Sequence, residues 1–319
     1  MKTKLLLSAS LVLYFGHWTC VANDGWERRI LSLGWENDAI DGTDKHYTQG
    51  ARIDYLSADN TLPAWLQSFS GALPAFGYEV NAQKYGLGCG QEIYTPEDLD
   101  TPNPIPDDRP YAGWLYGRAL LQRRGKAPLG LFARETLNFD LGVVGPESLA
   151  EQTQKEWHSR SPRGWEHQLR TEVAFMLNYR REYLAAFRTA DNRWGFDVIP
   201  HLGGAGGTLQ TFLNAGTTIR VGYHMPNEFA SGTTATTWGA YGFAGVDGRA
   251  VARNLFLDGN TFAHSQHVHK EPLVGEFVAG LTLAYKSFEA TLSHALRSRE
   301  FKSQQSTDSF GSATLRVKF

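Results

Sequence analysis

The feature that most constrains this chain is a period of two. At its C-terminus Ala313, Leu315, Val317 and Phe319 alternate with Ser312, Thr314, Arg316 and Lys318. Phe277, Ala279, Leu281, Leu283 and Tyr285 likewise share one face, opposite Glu276, Gly280, Thr282 and Lys286. Leu137, Phe139, Leu141 and Val143 alternate with Thr136, Asn138, Asp140 and Gly142, and Ala51, Ile53 and Tyr55 with Arg52 and Asp54. Successive side chains of a strand point to opposite faces, so each segment reads as a strand with one apolar and one polar side. A soluble sandwich would turn the apolar faces onto each other. A transmembrane barrel would turn them outward to lipid around a polar lumen.

Three features favour the barrel. The segments are about ten residues long, as a tilted spanning strand requires. Several end in rings (Trp35, Tyr55, Trp114, Tyr223, Trp238, Tyr285) that suit interfacial girdles. The chain also closes on a strand ending in Phe319, which resembles the terminal signal of bacterial outer-membrane proteins. The expectation is an all-β, antiparallel up-and-down barrel of about twelve strands. They fall near 27–36, 48–57, 82–92, 112–122, 131–143, 173–186, 194–203, 211–223, 238–250, 274–286, 288–297 and 310–319. With the N-terminus in the periplasm, the outward connections are 37–47, 93–111, 144–172, 204–210, 251–273 and 298–309, with short helices in them. The inward connection 58–81 is too long for a simple turn. Its Leu62, Trp65, Leu66, Phe69 and Leu73 are spaced for a short amphipathic helix on the inner membrane face, or else form an irregular loop under the barrel.

Composition removes other classes. Mean hydropathy is −0.35, and no apolar run after the N-terminus reaches the ~20 residues of a spanning helix. The net charge of −2 argues against a nucleic-acid partner, and 13% aromatic residues argue against disorder. Lys2 and Lys4, the apolar run Leu5 to Phe15 and the small residues up to Ala22 form the layout of a signal peptide. Residues 1–22 are therefore expected to be a signal peptide and 23–319 the barrel. Cleavage would leave Cys89 alone, so no internal disulfide is expected.

Four segments hold more special residues than strands and turns need. They are Glu36-Asn37-Asp38 with Thr43-Asp44 and Tyr47-Thr48-Gln49-Gly50; Asp107-Asp108-Arg109-Pro110-Tyr111-Ala112-Gly113-Trp114; Gly142 to Ser148 with Gln154 and His158; and Gly164-Trp165-Glu166-His167-Gln168-Leu169. All fall in or beside the first three outward connections, so they would meet on one rim. Asn37 and Asp38 offer hard oxygen ligands for Ca²⁺ or Mg²⁺ rather than Zn²⁺, although an Asn-Asp pair is also ordinary turn chemistry. His158 suits a general base near neutral pH, and Thr48 could donate to an oxyanion or orient a water. Ser148 lacks a nucleophile elbow, and nothing marks Ser293. His264, His267 and His269 form a small cluster in a later outward connection, either a metal site or a solvated loop.

These motifs resemble those of the lipid A 3′-O-deacylases of the Gram-negative outer membrane. The likeness runs in order through Glu36-Asn37-Asp38, Thr43-Asp44-Lys45-His46-Tyr47-Thr48-Gln49-Gly50, Asp108-Arg109-Pro110-Tyr111-Ala112-Gly113, Gly142-Val143-Val144-Gly145-Pro146, Gln154-Lys155-Glu156-Trp157-His158 and Gly164-Trp165-Glu166-His167-Gln168-Leu169. It covers roughly residues 30–180. The resemblance implies a twelve-stranded barrel and Ca²⁺-dependent hydrolysis of the 3′ acyl or acyloxyacyl ester of lipid A, the membrane anchor of lipopolysaccharide. Residue by residue it implies catalytic roles for His158, Asp38, Asn37, Thr48 and Gln154, with Asp38 and Asn37 on the metal. Lys45 and Arg109 would receive glucosamine phosphates, although Arg109 equally suits a loop–barrel salt bridge. The family pattern has an acid a few residues after the histidine. Here residues 159–163 contain none, and Glu156 or Glu166 would have to take its place. A monomer with its site at the outer-leaflet rim is expected. The other readings are a non-catalytic barrel or channel, and a phospholipase-type barrel with a Ser-His pair.

Overall fold

A computed structural model describes residues 28–38, 45–157, 162–226, 228–229 and 238–319. The expected signal peptide and His158 lie outside the described residues. Twelve strands run β1 (Ile30–Asn37), β2 (His46–Leu56), β3 (Glu79–Thr95), β4 (Ala112–Lys126), β5 (Phe132–Val144), β6 (Glu172–Arg188), β7 (Trp194–Gly207), β8 (Gln210–Tyr223), β9 (Trp238–Asn254), β10 (Leu273–Tyr285), β11 (Phe288–Arg297) and β12 (Asp308–Lys318). Each pairs antiparallel with its sequence neighbours, and β1 pairs with β12 to close the barrel. Closure leaves no sheet edge, which a β-structure in lipid requires. Among the described residues, three α-helices lie in the connections: α1 (Ala64–Ala72), α2 (Ala150–Trp157) and α3 (Leu255–Asp258).

The alternation resolves as expected. Leu213 and Val221 of β8, and Leu281, Leu283 and Tyr285 of β10, are exposed on the outer wall. Rings gather at the periplasmic end, where Tyr223 lies 5.5 Å from Trp194 and 4.8 Å from Trp238 between centroids. Trp114 is a correction to the expected girdle. It is 1% exposed and stacks on Tyr116 at 4.1 Å, because its position on β4 faces the lumen and not the lipid.

The outward connection expected at 204–210 shrinks to two residues, 208–209. Its glycines belong to strands: a Cβ at Gly203 or Gly207 would overlap the carbonyl of Tyr179 or Phe175 on β6. Close approach to the neighbouring strand, not a turn, is what they serve.

The outer half of the lumen is filled. Tyr94 stacks on Phe256 of α3 at 4.2 Å, and Tyr47 meets Phe310 at 5.0 Å. Glu276 and Glu300 pair with Arg297 in the same region. The periplasmic half holds a cavity of about 720 Å³ lined by residues such as Lys84, Arg118, Arg188 and Lys318. Glu228, from the β8–β9 connection, bridges Arg134 at 3.2 Å and Arg316 at 3.4 Å there.

Candidate active site on the outer wall

The outward residues of β1 are Leu31, Leu33 and Trp35, so alternation brings Asn37 to the outer wall at the outer rim. It pairs in register with Gln49 of β2. Strict alternation along β2, counted from Ile53 and Ala51, would turn Thr48 into the lumen. The β2–β3 register instead slips between Tyr47 and Gln49. The extra residue of a bulge re-aims a side chain. Tyr47 thereby enters the lumen, where its hydroxyl donates to Glu36 Oε2 at 2.6 Å. Thr48 turns to the outer wall, fully buried, with Oγ1 2.8 Å from Thr95 Oγ1 of β3.

Asp38 follows Asn37 and is 2% exposed. Its Oδ2 accepts the backbone N–H of Lys45 at 2.5 Å, so the two ends of the β1–β2 connection are tied. Lys45 reaches Glu97 at 2.7 Å and Ser306 Oγ at 3.0 Å. The hydrogen bond from Lys45 holds the Glu97 carboxyl below its ordinary range. His46 comes next, with a left-handed φ of 63°. Its buried ring lies with Nδ1 2.5 Å from Asp308 and Nε2 3.6 Å from Asp108, joining β2 to the start of β12 and to the β3–β4 connection. Sequence reasoning gave His46 no role, although it stands inside the quoted motif.

The β5–β6 connection covers this wall. A tight turn at Pro146–Ser148 leads into α2, and Gly145 enters it at φ 100°. Gly113 of β4 lies beneath, where any Cβ would overlap Ser148 Oγ and Ala150 Cβ. The glycine therefore lets the helix seat on the strand. Ala150 packs with Ile93, Tyr111 and Trp165 in a buried cluster. Gln154, one turn further along the same helix face, is fully buried. Its Oε1 accepts the Trp165 indole N–H at 2.8 Å, and its Nε2 finds no partner among the described residues. Trp165 is a second residue that sequence reading left without a role. A buried indole N–H needs an acceptor, and that was the available signal.

Asn37, Thr48 and Gln154 thus belong to one outer-rim region on the lipid side of the wall. Asp38 continues it at the β1 terminus. One carboxylate with an amide oxygen and a hydroxyl is a hard-oxygen set that suits Ca²⁺, which also takes carbonyls and waters. Other predicted residues lie elsewhere. Arg109 is fully buried, 3.2 Å from Glu300 and 4.6 Å above the Tyr94 ring, the loop–barrel salt bridge weighed for it above. Glu156 and Glu166 are exposed. Ser148 Oγ donates to the Gly145 carbonyl at 2.6 Å, and Ser293 pairs with Ser312. His264, His267 and His269 are exposed, and no group of three His, Cys, Asp or Glu gathers for a metal among the described residues.

A closed twelve-strand barrel with an apolar outer band and a covered polar rim defines an outer-membrane β-barrel protein. The chain belongs to the LpxR family, whose model, described as outer membrane protein LpxR, matches residues 5–319. The barrel is similar to LpxR from Salmonella typhimurium, with a TM-score of 0.73 at 20% identity, covering 91% of this chain and 100% of that one. Likeness to the β domain of the Bordetella autotransporter BrkA is weaker, with a TM-score of 0.44 at 10% identity over 92% and 98% of the two chains. No curated protein matches by sequence.

Proposed function

We propose that the chain is a Ca²⁺-dependent lipid A 3′-O-deacylase, a carboxylic ester hydrolase working at the outer-leaflet rim. The observation that carries this reading is the side of the wall on which the polar groups lie. Asn37 and Thr48 are on the lipid face of β1 and β2, and Gln154 is on α2, which seats on the outer face of β3 and β4, so none of the three is in the lumen. An acyl ester can therefore reach them sideways from the bilayer.

In this reading His158 takes a proton from water as the water oxygen bonds to the acyl carbon. The ester C–O bond then breaks, and the proton passes to the departing sugar oxygen. The Thr95 hydroxyl can donate to Thr48 Oγ1, leaving the Thr48 proton free for the ester oxygen. Gln154 keeps its Nε2 protons available because Trp165 occupies its Oε1. Such fixed donors act where charge develops in the transition state. Asp38 and Asn37 would hold the cation, and bound Ca²⁺ supplies positive charge against the forming oxyanion. Lys45 at the rim would meet a glucosamine phosphate, while the charge of Arg109 is committed to Glu300. The filled outer lumen gives a conducting channel no support.

Purified barrel in detergent, supplied with lipid A in heavy-oxygen water, tests the chemistry. The released hydroxy fatty acid should carry the heavy oxygen, and a Ca²⁺ chelator should stop release. Release that persists in chelator would remove the cation from the account.

A further inference from the structure

The β2–β3 connection does something no turn requires. Gln83, Arg123, Glu135 and Arg181 pair across β3, β4, β5 and β6 as one row. The alternation that turns Leu115, Phe139 and Phe175 to lipid turns these four the same way. Three charges would face the membrane, yet Arg123, Glu135 and Arg181 are all buried.

What buries them is α1 and the residues up to Tyr78, lying as a strap over the outside of the wall. Arg123 donates to the carbonyls of Ser70 and Leu73 at 3.0 Å and of Pro74 at 2.8 Å. Arg181 donates to those of Ala75 at 2.6 Å and Phe76 at 3.3 Å. Glu135 binds both arginines, at 2.5 and 2.7 Å, and accepts the hydroxyls of Tyr78 and Tyr179 at 2.6 Å. Burial and the Glu135 carboxylate push the Tyr78 hydroxyl up from its ordinary pKa. Ser70 Oγ adds a bond to Gln83 at 2.5 Å.

The strap presents rings on its far side. Trp65 is 71% exposed, Phe69 46% and Phe76 67%. They continue the apolar band of the barrel at the end where Tyr223 and Trp238 stand. We propose that this strap is a membrane anchor, with Trp65, Phe69 and Phe76 seated at the headgroup–acyl boundary of phospholipid in the periplasmic leaflet. The row Gln83–Arg123–Glu135–Arg181 is the mount that holds it. Continuity with the lipid-facing band selects phospholipid as the occupant, and amphipathic rings are suited to that boundary.

Tryptophan emission tests this in vesicles of phosphatidylethanolamine and phosphatidylglycerol, with the W65F variant as reference. Wild type should show a blue-shifted component that W65F lacks. Lipids brominated near the top of the acyl chain should quench it more than lipids brominated near the chain end. A water-like, unquenched Trp65 component would overturn the proposal. So would a blue-shifted but unquenched one, which would mean cover by a second copy or another protein. In Glu135→Gln the barrel should keep its heat-modifiable gel migration while Trp65 quenching falls. Unchanged quenching there would contradict the mount.

Discussion

The indole N–H of Trp165 donates to Oε1 of Gln154, and both side chains are buried between α2 and the outer wall. This bond fixes which end of the amide is left for chemistry. Trp165→Phe keeps a ring in the Ile93–Ala150 cluster but lets the amide turn. Leaving a buried acceptor unsatisfied costs roughly 1–3 kcal/mol, so deacylation should fall about tenfold or more. Gln154→Leu should lose at least as much. Wild-type rates in Trp165→Phe would remove the indole from the site.

Thr48 is predicted to act through its hydroxyl alone. Thr48→Val keeps the shape and should lower kcat by about 10²–10³-fold, the range for one oxyanion donor. Thr48→Ser should retain most activity, and Thr95→Val should have an intermediate effect. Initial rates on isolated lipid A would rank the three.

Gly113 is the contact on which α2 seats. Gly113→Val should lift the 145–157 segment while leaving the β3–β4 ladder closed. Limited proteolysis should then cut that segment, activity should be lost, and the gel migration of the folded barrel should persist. An uncut, active variant would contradict the seating.

The strands were legible because lipid and lumen impose opposite demands on alternate residues, and β8 and β10 obey them. Four places were not legible, each because a long-range contact overrides the period. The bulge that turns Thr48 outward depends on pairing with β3. Trp114 reads as a girdle ring until the face of β4 is known. Gly203 and Gly207 read as turn residues, although the backbone of β6 is what demands them. Arg123, Glu135 and Arg181 break the lipid-face pattern because a segment distant in sequence covers them. Of the motif residues, Asn37 and Thr48 lie on β1 and β2 and Gln154 on α2, which seats on β3 and β4. The His46 and Trp165 contacts could not be read from spacing, since their partners lie on other loops.

His46 locks the rim through two buried carboxylates. His46→Ala would leave the buried Asp308 carboxylate without its hydrogen bond to the ring, and an unsatisfied buried acceptor costs roughly 1–3 kcal/mol. Urea unfolding in detergent should show the loss as a lower midpoint.

Glu300, in the β11–β12 connection, should make the rim acid-sensitive. Burial raises its pKa, but Arg297 and Arg109 outweigh burial and hold the carboxyl below its ordinary value. Its contribution is therefore complete above the unfolded carboxylate range, about pH 4.3, and is lost as pH falls through the lower folded value. Glu300→Gln should flatten this acid limb in a pH series of thermal unfolding, and should lower the midpoint at neutral pH because it leaves buried Arg109 without its carboxylate.

The most direct measurement is mass spectrometry of lipid A from Gram-negative cells expressing this chain with Ca²⁺ present. Wild type should yield lipid A lacking its 3′ acyl or acyloxyacyl chain, and His158→Ala or Asp38→Ala at equal barrel abundance should leave lipid A intact. Intact lipid A with wild type would contradict the proposed activity, and 3′ loss persisting in His158→Ala would contradict the proposed base.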